Sequence, residues 1–374
     1  MDAEHLLQRD YHPSLNERKI LDILRRSGGI TRAAVSAEMD LAQQSVHRII
    51  EDLISRGFIR TGQAVKNGRG QPSLRLELAN EAVYVLGISI NTDSAVVCIA
   101  DFACNVLEEV TLRTPPLSLN STLDALGKVI DRMLLRNGLS RDHLLGVGVA
   151  IAGYFIDEGR VNAPEPLQDW SLIDLRPLLE QALDMPVWLK NNATTGAIGE
   201  SLIGVGAWAS NFVYLSFNYG FGTGIVIDGK PYFGSNGNAG EVMLYTHDEV
   251  ERRPALRYLM DALHKQAIQI DSIEDLRNRF DIHWPGVDEW VEHVRPGLDR
   301  LINTLTGLFD PQAIVFGGQV PAELGRRLID NVSFWGSPRY GTPAPRPKLL
   351  LTESNGDAAA IGAALIPLKE RFFL

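Results

Sequence analysis

The 374-residue chain holds only two cysteines, Cys98 and Cys104. Two thiols cannot build a disulfide scaffold or a multi-cysteine zinc cluster, and such scarcity fits a reducing compartment. No run of about 18 apolar residues is present, so no membrane-spanning helix is expected. The opening segment, MDAEHLLQRDYHP, has no apolar stretch of signal-peptide length. A cytoplasmic location without membrane contact follows as the expectation. Apolar residues make up 45% and charged residues 22%, a globular mixture that excludes collagen, coiled-coil rods and wholesale disorder. At about 150 residues per domain, the length suggests two or three units.

Positive charge is also in short supply. There are 36 Lys and Arg against 46 Asp and Glu, a formal net charge of −10. This argues against nonspecific nucleic-acid binding by the molecule as a whole. The deficit is uneven: residues 1–80 carry 12 basic and 10 acidic side chains, and residues 81–374 carry 24 and 36. A slightly basic head on an acidic body is the asymmetry expected where only the head meets phosphates.

The head, residues 1–80, has the pattern of a winged helix-turn-helix. Residues 14–27 place Leu15, Ile20, Leu21, Ile23 and Leu24 on one helical stripe. Ser14 or Asn16 is available to cap the start and Gly28-Gly29 the end. A short helix is expected from Thr31 to Met39 and a third over residues 43–56. The third turns Val46, Ile49, Ile50, Leu53 and Ile54 inward and shows Gln43, Gln44, Ser45, His47 and Arg48 on its other face. Two strand-like runs, Phe58–Arg60 and Leu74–Leu78, flank a polar, cationic stretch with Lys66 and Arg69. The third helix would enter the major groove, with Lys66 and Arg69 of the wing on phosphates or in the minor groove. The competing reading is a protein-interaction module whose polar face, His47 included, is merely solvated.

Residues 81–374 alternate strands and helices, which argues α/β architecture. Strand-like runs VYVLGISI, SAVVCIAD and VLEEVTL have a shorter echo in FVYLSFN and GTGIVID. Both sets give an apolar strand, a polar turn and a second apolar strand, as a duplicated unit would. Amphipathic helices are expected near 121–136 and 292–308. Ligand would sit in the cleft between the halves.

Several segments make the resemblance specific: GVGVAIAGYF (146–155), KNNATTGAIGE (190–200), GIVIDGKPYFGSNGNAGEV (224–242), DPQAIVFGGQV (310–320) and AAAIGAAL (358–365). With the head and its GRGQP (68–72), the chain resembles the ROK family, which joins bacterial sugar kinases to transcriptional regulators. The resemblance implies a two-lobed actin-like, hexokinase-like body behind the winged helix. Residues 81–190, completed by about 355–374, would form lobe 1, and residues 191–354 lobe 2.

The resemblance also implies what kinase chemistry would need, and much of it is missing. The family's first phosphate turn, Asp-x-Gly-Gly-Thr-Lys, is here Ser89, Ile90, Asn91, Thr92, Asp93 and Ser94. The second turn, NYGFGTG (218–224), keeps its glycines, which suit an ordinary hairpin equally well. Gly317-Gly318 survives, where the fold itself can require a strand-to-helix turn. The catalytic aspartate of the Asn-Asp-Ala motif is replaced in Asn191-Asn192-Ala193. An amide cannot take the proton from an attacking hydroxyl, and loss of a general base costs about 10²–10⁴-fold in rate. No catalytic residue, cofactor or kinase activity is therefore expected.

By the same resemblance, Asn191, Asn192 and Glu241 are the candidate sugar contacts. The family's Ala-Gly-Glu-x-x-His motif keeps Glu241 but has Leu244 for the histidine, and the cysteine-rich zinc segment is absent, so no metal is expected. Alternatives stay open: Asn192 as a helix N-cap, Glu241 as a structural partner of the SNGNAG loop, and Trp170 as a core tryptophan rather than a stacking platform. The expected function is a sequence-specific regulator, a repressor of carbohydrate genes, acting as a homodimer or higher homo-oligomer on a palindromic DNA operator with a sugar effector. A regulator controlled by a protein partner, and an active sugar kinase, are the alternatives.

Overall fold

A computed structural model describes residues 10–65, 73–112, 118–242, 244, 246–336, 338–353 and 356–374. The head begins with α1 (Leu15–Ser27), which a capping box starts: the Ser14 hydroxyl accepts from Glu17 N at 3.4 Å, and the Glu17 carboxylate accepts from Ser14 N at 2.6 Å. Gly28 ends it in the left-handed region. The strand β1 (Ile30–Thr31) leads into α2 (Arg32–Glu38), capped by Thr31, and then into α3 (Gln43–Ser55). A hairpin of β2 (Ile59–Val65) and β3 (Ser73–Leu78) follows, with β3 in the middle of a three-stranded sheet. Ile20, Leu24, Val46, Ile50, Leu53 and Leu76 form the head's core. Leu15, placed on the buried stripe by periodicity, is 60% exposed, because the first turn of α1 runs past the edge of that core.

Lobe 1 is built on β4 (Tyr84–Ile90), β5 (Ala95–Asp101) and β6 (Val106–Leu112), an antiparallel meander. After α4 (Leu119–Arg136), β7 (Leu144–Ile151) pairs parallel with β4. A small hairpin of β8 (Tyr154–Phe155) and β9 (Val161–Asn162), then α5 (Leu175–Leu183), lead to β10 (Val187–Asn191), parallel to β7. The sheet order is β10-β7-β4-β5-β6. The helix α6 (Asn192–Ile203) starts directly where β10 ends.

Lobe 2 repeats this plan. A meander of β11 (Phe212–Phe217), β12 (Phe221–Ile227) and β13 (Lys230–Pro231) comes first. The helices α7 (Leu256–Lys265), α8 (Ile273–Arg279) and α9 (Val287–Phe309) follow, and then β14 (Ala313–Gly318) pairs parallel with β11. Beyond α10 (Ala322–Asp330), β15 (Lys348–Leu351) pairs parallel with β14. The order β15-β14-β11-β12-β13 matches that of lobe 1 strand for strand, so the echo in the sequence marks two copies of one topology.

The last helix, α11 (Ala358–Arg371), crosses α6 between the two sheets, and residues 192–202 and 358–369 are buried all round. Burial on every face explains why neither helix is amphipathic. Small residues allow the contact. A Cβ on Gly362 would stand 1.8 Å from the Thr195 carbonyl oxygen, and one on Gly148 would stand 1.9 Å from that of Ala363. Only glycine fits where backbones approach so closely.

The head is docked on the ends of these same two helices. Arg18 donates to the carbonyls of Phe373, at 3.2 Å, and Lys369, at 3.1 Å. Arg25 pairs with Asp22 at 2.8 Å, donates to the Leu202 carbonyl at the end of α6, and lies over the Phe373 ring. Phe58 of the head packs against Phe102 and Phe372 with ring centroids 5.6 and 5.4 Å apart. Head and body thus share one continuous apolar cluster. Among the described residues no helix is long and apolar enough to cross a membrane.

Candidate functional site

On the head, α3 exposes Gln43, Gln44 and Arg48 and leaves Ser45 and His47 half-buried. The opposite face buries Val46, Ile50 and Leu53, which fixes the helix on the head. Ile49 and Ile54 flank these as half-buried neighbours. Lys66 and Arg69 lie outside the described residues.

A cavity of about 400 Å³ lies between the lobes, within the usual range for small-molecule sites. Asn191, Asn192 and Glu241 all line it. The helix cap is Asn191, not Asn192: its side-chain oxygen accepts from Ala193 N at 2.7 Å. The reason is geometric, since β10 runs through Asn191 and helical dihedrals begin one residue later. The Asn191 amide donates to the Gly153 carbonyl at 2.6 Å and to Glu241 at 3.3 Å. Asn192 is only 5% exposed. Its amide reaches Asn91 at 3.4 Å, and its Oδ1 has no hydrogen-bond partner.

Burial raises the Glu241 carboxyl above the ordinary carboxylate range, and the positive charge of Arg253 partly opposes the shift. The SNGNAG loop is held by other residues. Asn238 accepts from Phe155 N and donates to the Phe155 carbonyl, both at 2.7 Å, and Gly240 accepts from the Thr223 hydroxyl at 2.8 Å. Glu241 is thereby left facing Asn191 and the cavity. Trp170 is fully buried in the core of lobe 1, away from any stacking role. Leu244 packs half-buried on the lobe 2 core, and no metal-holding cluster of acids, histidines and cysteines occurs among the described residues.

The other end of the cavity, where the resemblance puts the phosphate turns, is crossed by side chains that bond one another. Asp93, on the turn after β4, accepts from Ile273 N at 2.7 Å, the first residue of α8 in the opposite lobe. Asn91 donates to Asp357 at 3.0 Å, and Gln319 donates to the same oxygen at 2.7 Å. Arg277 in turn donates to Gln319. Asp357 also caps α11 through Ala360 N at 2.8 Å. A carboxylate on a helix N-terminus, as Asp93 is, occupies an anion position.

A Cβ on Gly220 would meet nothing within 4 Å, but other glycines kept from the phosphate turns have packing roles. Gly318 N donates to the buried Tyr214 hydroxyl at 2.6 Å, and a Cβ on Gly224 would meet the Ala193 carbonyl at 2.4 Å.

This arrangement has known relatives. The ROK family model matches residues 85–249, and a winged helix-turn-helix DNA-binding model matches residues 14–60. The ROK match thus lies behind the winged-helix match. It is 26% identical to a xylose repressor of Caldicellulosiruptor bescii over 86% of this chain and 88% of the relative. It is 24% identical to the Escherichia coli DNA-binding transcriptional dual regulator NagC over 83% and 82%. A crystal structure of a ROK family transcriptional regulator, a homologue of E. coli MLC, superposes with a TM-score of 0.69 at 21% identity, covering 98% and 97% of the two chains.

Sequence reasoning missed several groups on the wall of the ROK cleft. Arg253, Arg257, Arg277, Gln319 and Asp357 all line the cavity. Only Asp357 carried a local signal, as an acidic residue directly before an alanine-rich helix. The rest come from segments far apart in the chain.

Proposed function

We propose that this protein is a transcriptional repressor whose ROK domain binds a carbohydrate effector and transfers no phosphate. The observation that carries the reading is the course of two buried helices. The helix α6 starts at Asn192 in the cleft, and in its last turn the Leu202 carbonyl receives Arg25 of the head. The helix α11 starts behind Asp357 in the cleft and leads to Lys369 and Phe373, whose carbonyls receive Arg18. A ligand that changes the angle between the lobes must move these helices, and the head rides on their ends.

The xylose repressor and NagC matches support the regulatory reading. In a homodimer, two copies of α3 about 34 Å apart would meet half-sites one helical turn apart on a palindromic operator. The effector acts through its different affinity for the DNA-bound and free arrangements. Gln43, Gln44, Ser45, His47 and Arg48 would face base edges, with Lys66 and Arg69 on the backbone. Selection of bound duplexes from a random pool identifies the operator. Arg48→Ala and Gln44→Ala are then each expected to weaken operator binding by about 1–3 kcal/mol, roughly 5- to 150-fold. Unchanged binding by both variants would remove α3 as the reading helix.

Phosphotransfer lacks a proton acceptor at Asn192, and the bonds of Asp93 and Asn91 span the place where phosphate would enter. Restoring the carboxylate alone, in Asn192→Asp, is therefore expected to leave ATP-dependent phosphorylation of a sugar panel undetectable in a coupled assay. Turnover by that variant would show that the polar bridge is no barrier.

A further inference from the structure

The charged groups of the cleft are largely engaged by the protein itself. Asp93 accepts from Ile273 N. Asp357 holds Asn91, Gln319 and the start of α11, and Glu109 accepts from Asp357 N at 3.0 Å. Arg277 donates to Gln319. Among the described wall residues, Asn192 and Arg257 each keep a buried side-chain atom without a hydrogen-bond partner.

One is the buried Oδ1 of Asn192, an acceptor with no donor. The other is Arg257, half-buried in the first turn of α7. Its Nη2 donates to the Tyr258 hydroxyl at 2.6 Å, and its guanidinium lies over the rings of Tyr258 and Tyr219, 4.6 and 5.8 Å from their centroids. Its buried Nε has no hydrogen-bond partner, and it forms no ion pair with a carboxylate among the described residues. Two aromatic rings fix the plane of this cation, and Tyr219 lines the cavity with it. A half-buried cation without a counter-ion is unfavourable, as is an orphaned buried acceptor. One occupant relieves both if it brings a hydroxyl donor to Asn192 and an anion to Arg257.

We infer that the effector is a carbohydrate bearing an acidic group, a carboxylate or a phosphate, with that group on Arg257 and a sugar hydroxyl on Asn192. The inference rests on the reading of the cleft as an effector site and adds the chemical class. A planar guanidinium suits either anion, since both offer two oxygens to its parallel N–H groups.

The test is calorimetry on the full chain with matched probes: glucose and xylose as neutral parents, glucuronate and gluconate as carboxylates, and glucose 6-phosphate and xylose 5-phosphate as phosphates. At least one acidic probe is expected to bind about tenfold or more tighter than its parent, and the carboxylate and phosphate arms tell which anion is taken. That preference should disappear in Arg257→Gln and return in part in Arg257→Lys. In the wild type, added salt should weaken the acidic probe and leave the neutral one unchanged. This wild-type arm decides the matter even if Arg257→Gln does not fold.

A neutral parent that binds as tightly as every acidic probe would overturn the inference while leaving a sugar-sensing ROK regulator intact. So would a preference that survives in Arg257→Gln. No binding by any probe would overturn the inference together with the reading of the cleft.

Discussion

Gly362→Val is expected to cost about 3 kcal/mol or more of stability, at or above the upper end for overpacked cores. The physical reason is the partner of the clash. A Cβ at this position would stand 1.8 Å from the Thr195 carbonyl and 3.1 Å from the Gly199 nitrogen, both backbone atoms of α6. A side chain can change rotamer to make room, whereas a helix backbone can only move as a body. On the far side, α11 is pressed against lobe 1, where Gly148 meets the Ala363 carbonyl. The helix therefore has no free direction, and relief on one side creates a clash on the other. Thermal and urea melts of the purified variant check this. A melting temperature and urea midpoint equal to the wild type would mean that the two helices are not packed as described. Gly362→Ala, with the same first atom and less bulk, should fall in between.

Arg25→Ala is expected to loosen the head from the body. The Arg25 and Asp22 side chains are only 6% and 11% exposed, and removing one partner of a buried pair costs about 3–5 kcal/mol. Asp22 keeps a second contact with Arg26 at 3.2 Å, which places the expected loss near the lower end, about 3 kcal/mol. The bond to the Leu202 carbonyl and the stacking on Phe373 go with it. Because these contacts join the head to the end of α6, the variant should unfold in two steps, with the head melting first, where the wild type melts in one. Scanning calorimetry separates the outcomes. A single transition at the wild-type temperature would show that Arg25 does not couple the units. The equivalent loss at Arg18, whose side chain bonds, among the described residues, to the Lys369 and Phe373 carbonyls, should be smaller, in keeping with the modest net value of a hydrogen bond.

Much of the architecture was legible along the chain, because it depends on short-range patterns. Periodicity placed the three head helices within a residue or two, with Ser14 and Gly28 at the ends of the first. Apolar runs marked the two meanders, and their echo anticipated a duplicated sheet-and-helix unit. Substitutions at Asn192 and at the Ser89–Ser94 turn stood out because each changes the residue type that a reaction needs. The readings that failed are also instructive. Leu15 lies in phase with the buried stripe, yet the core does not extend to it. The cap fell on Asn191 because strand pairing with Ile151 ends there, so the helical backbone begins at Asn192, one residue earlier than a cap at Asn192 would allow.

By itself, then, the order of residues determined which segments become helices and strands, that a DNA-binding head precedes a duplicated body, and that the expected proton acceptor is missing. Only the folded chain decided which side chains line the cleft and where the head rests. Arg257 meets Tyr219, Asp93 reaches Ile273, and Arg25 reaches Leu202 across 38, 180 and 177 residues of sequence. The meeting of Asp93 with Ile273 across the lobes depends on how closely two glycine-lined helices let the sheets approach. That spacing belongs to three-dimensional packing, and no local pattern of residues encodes it.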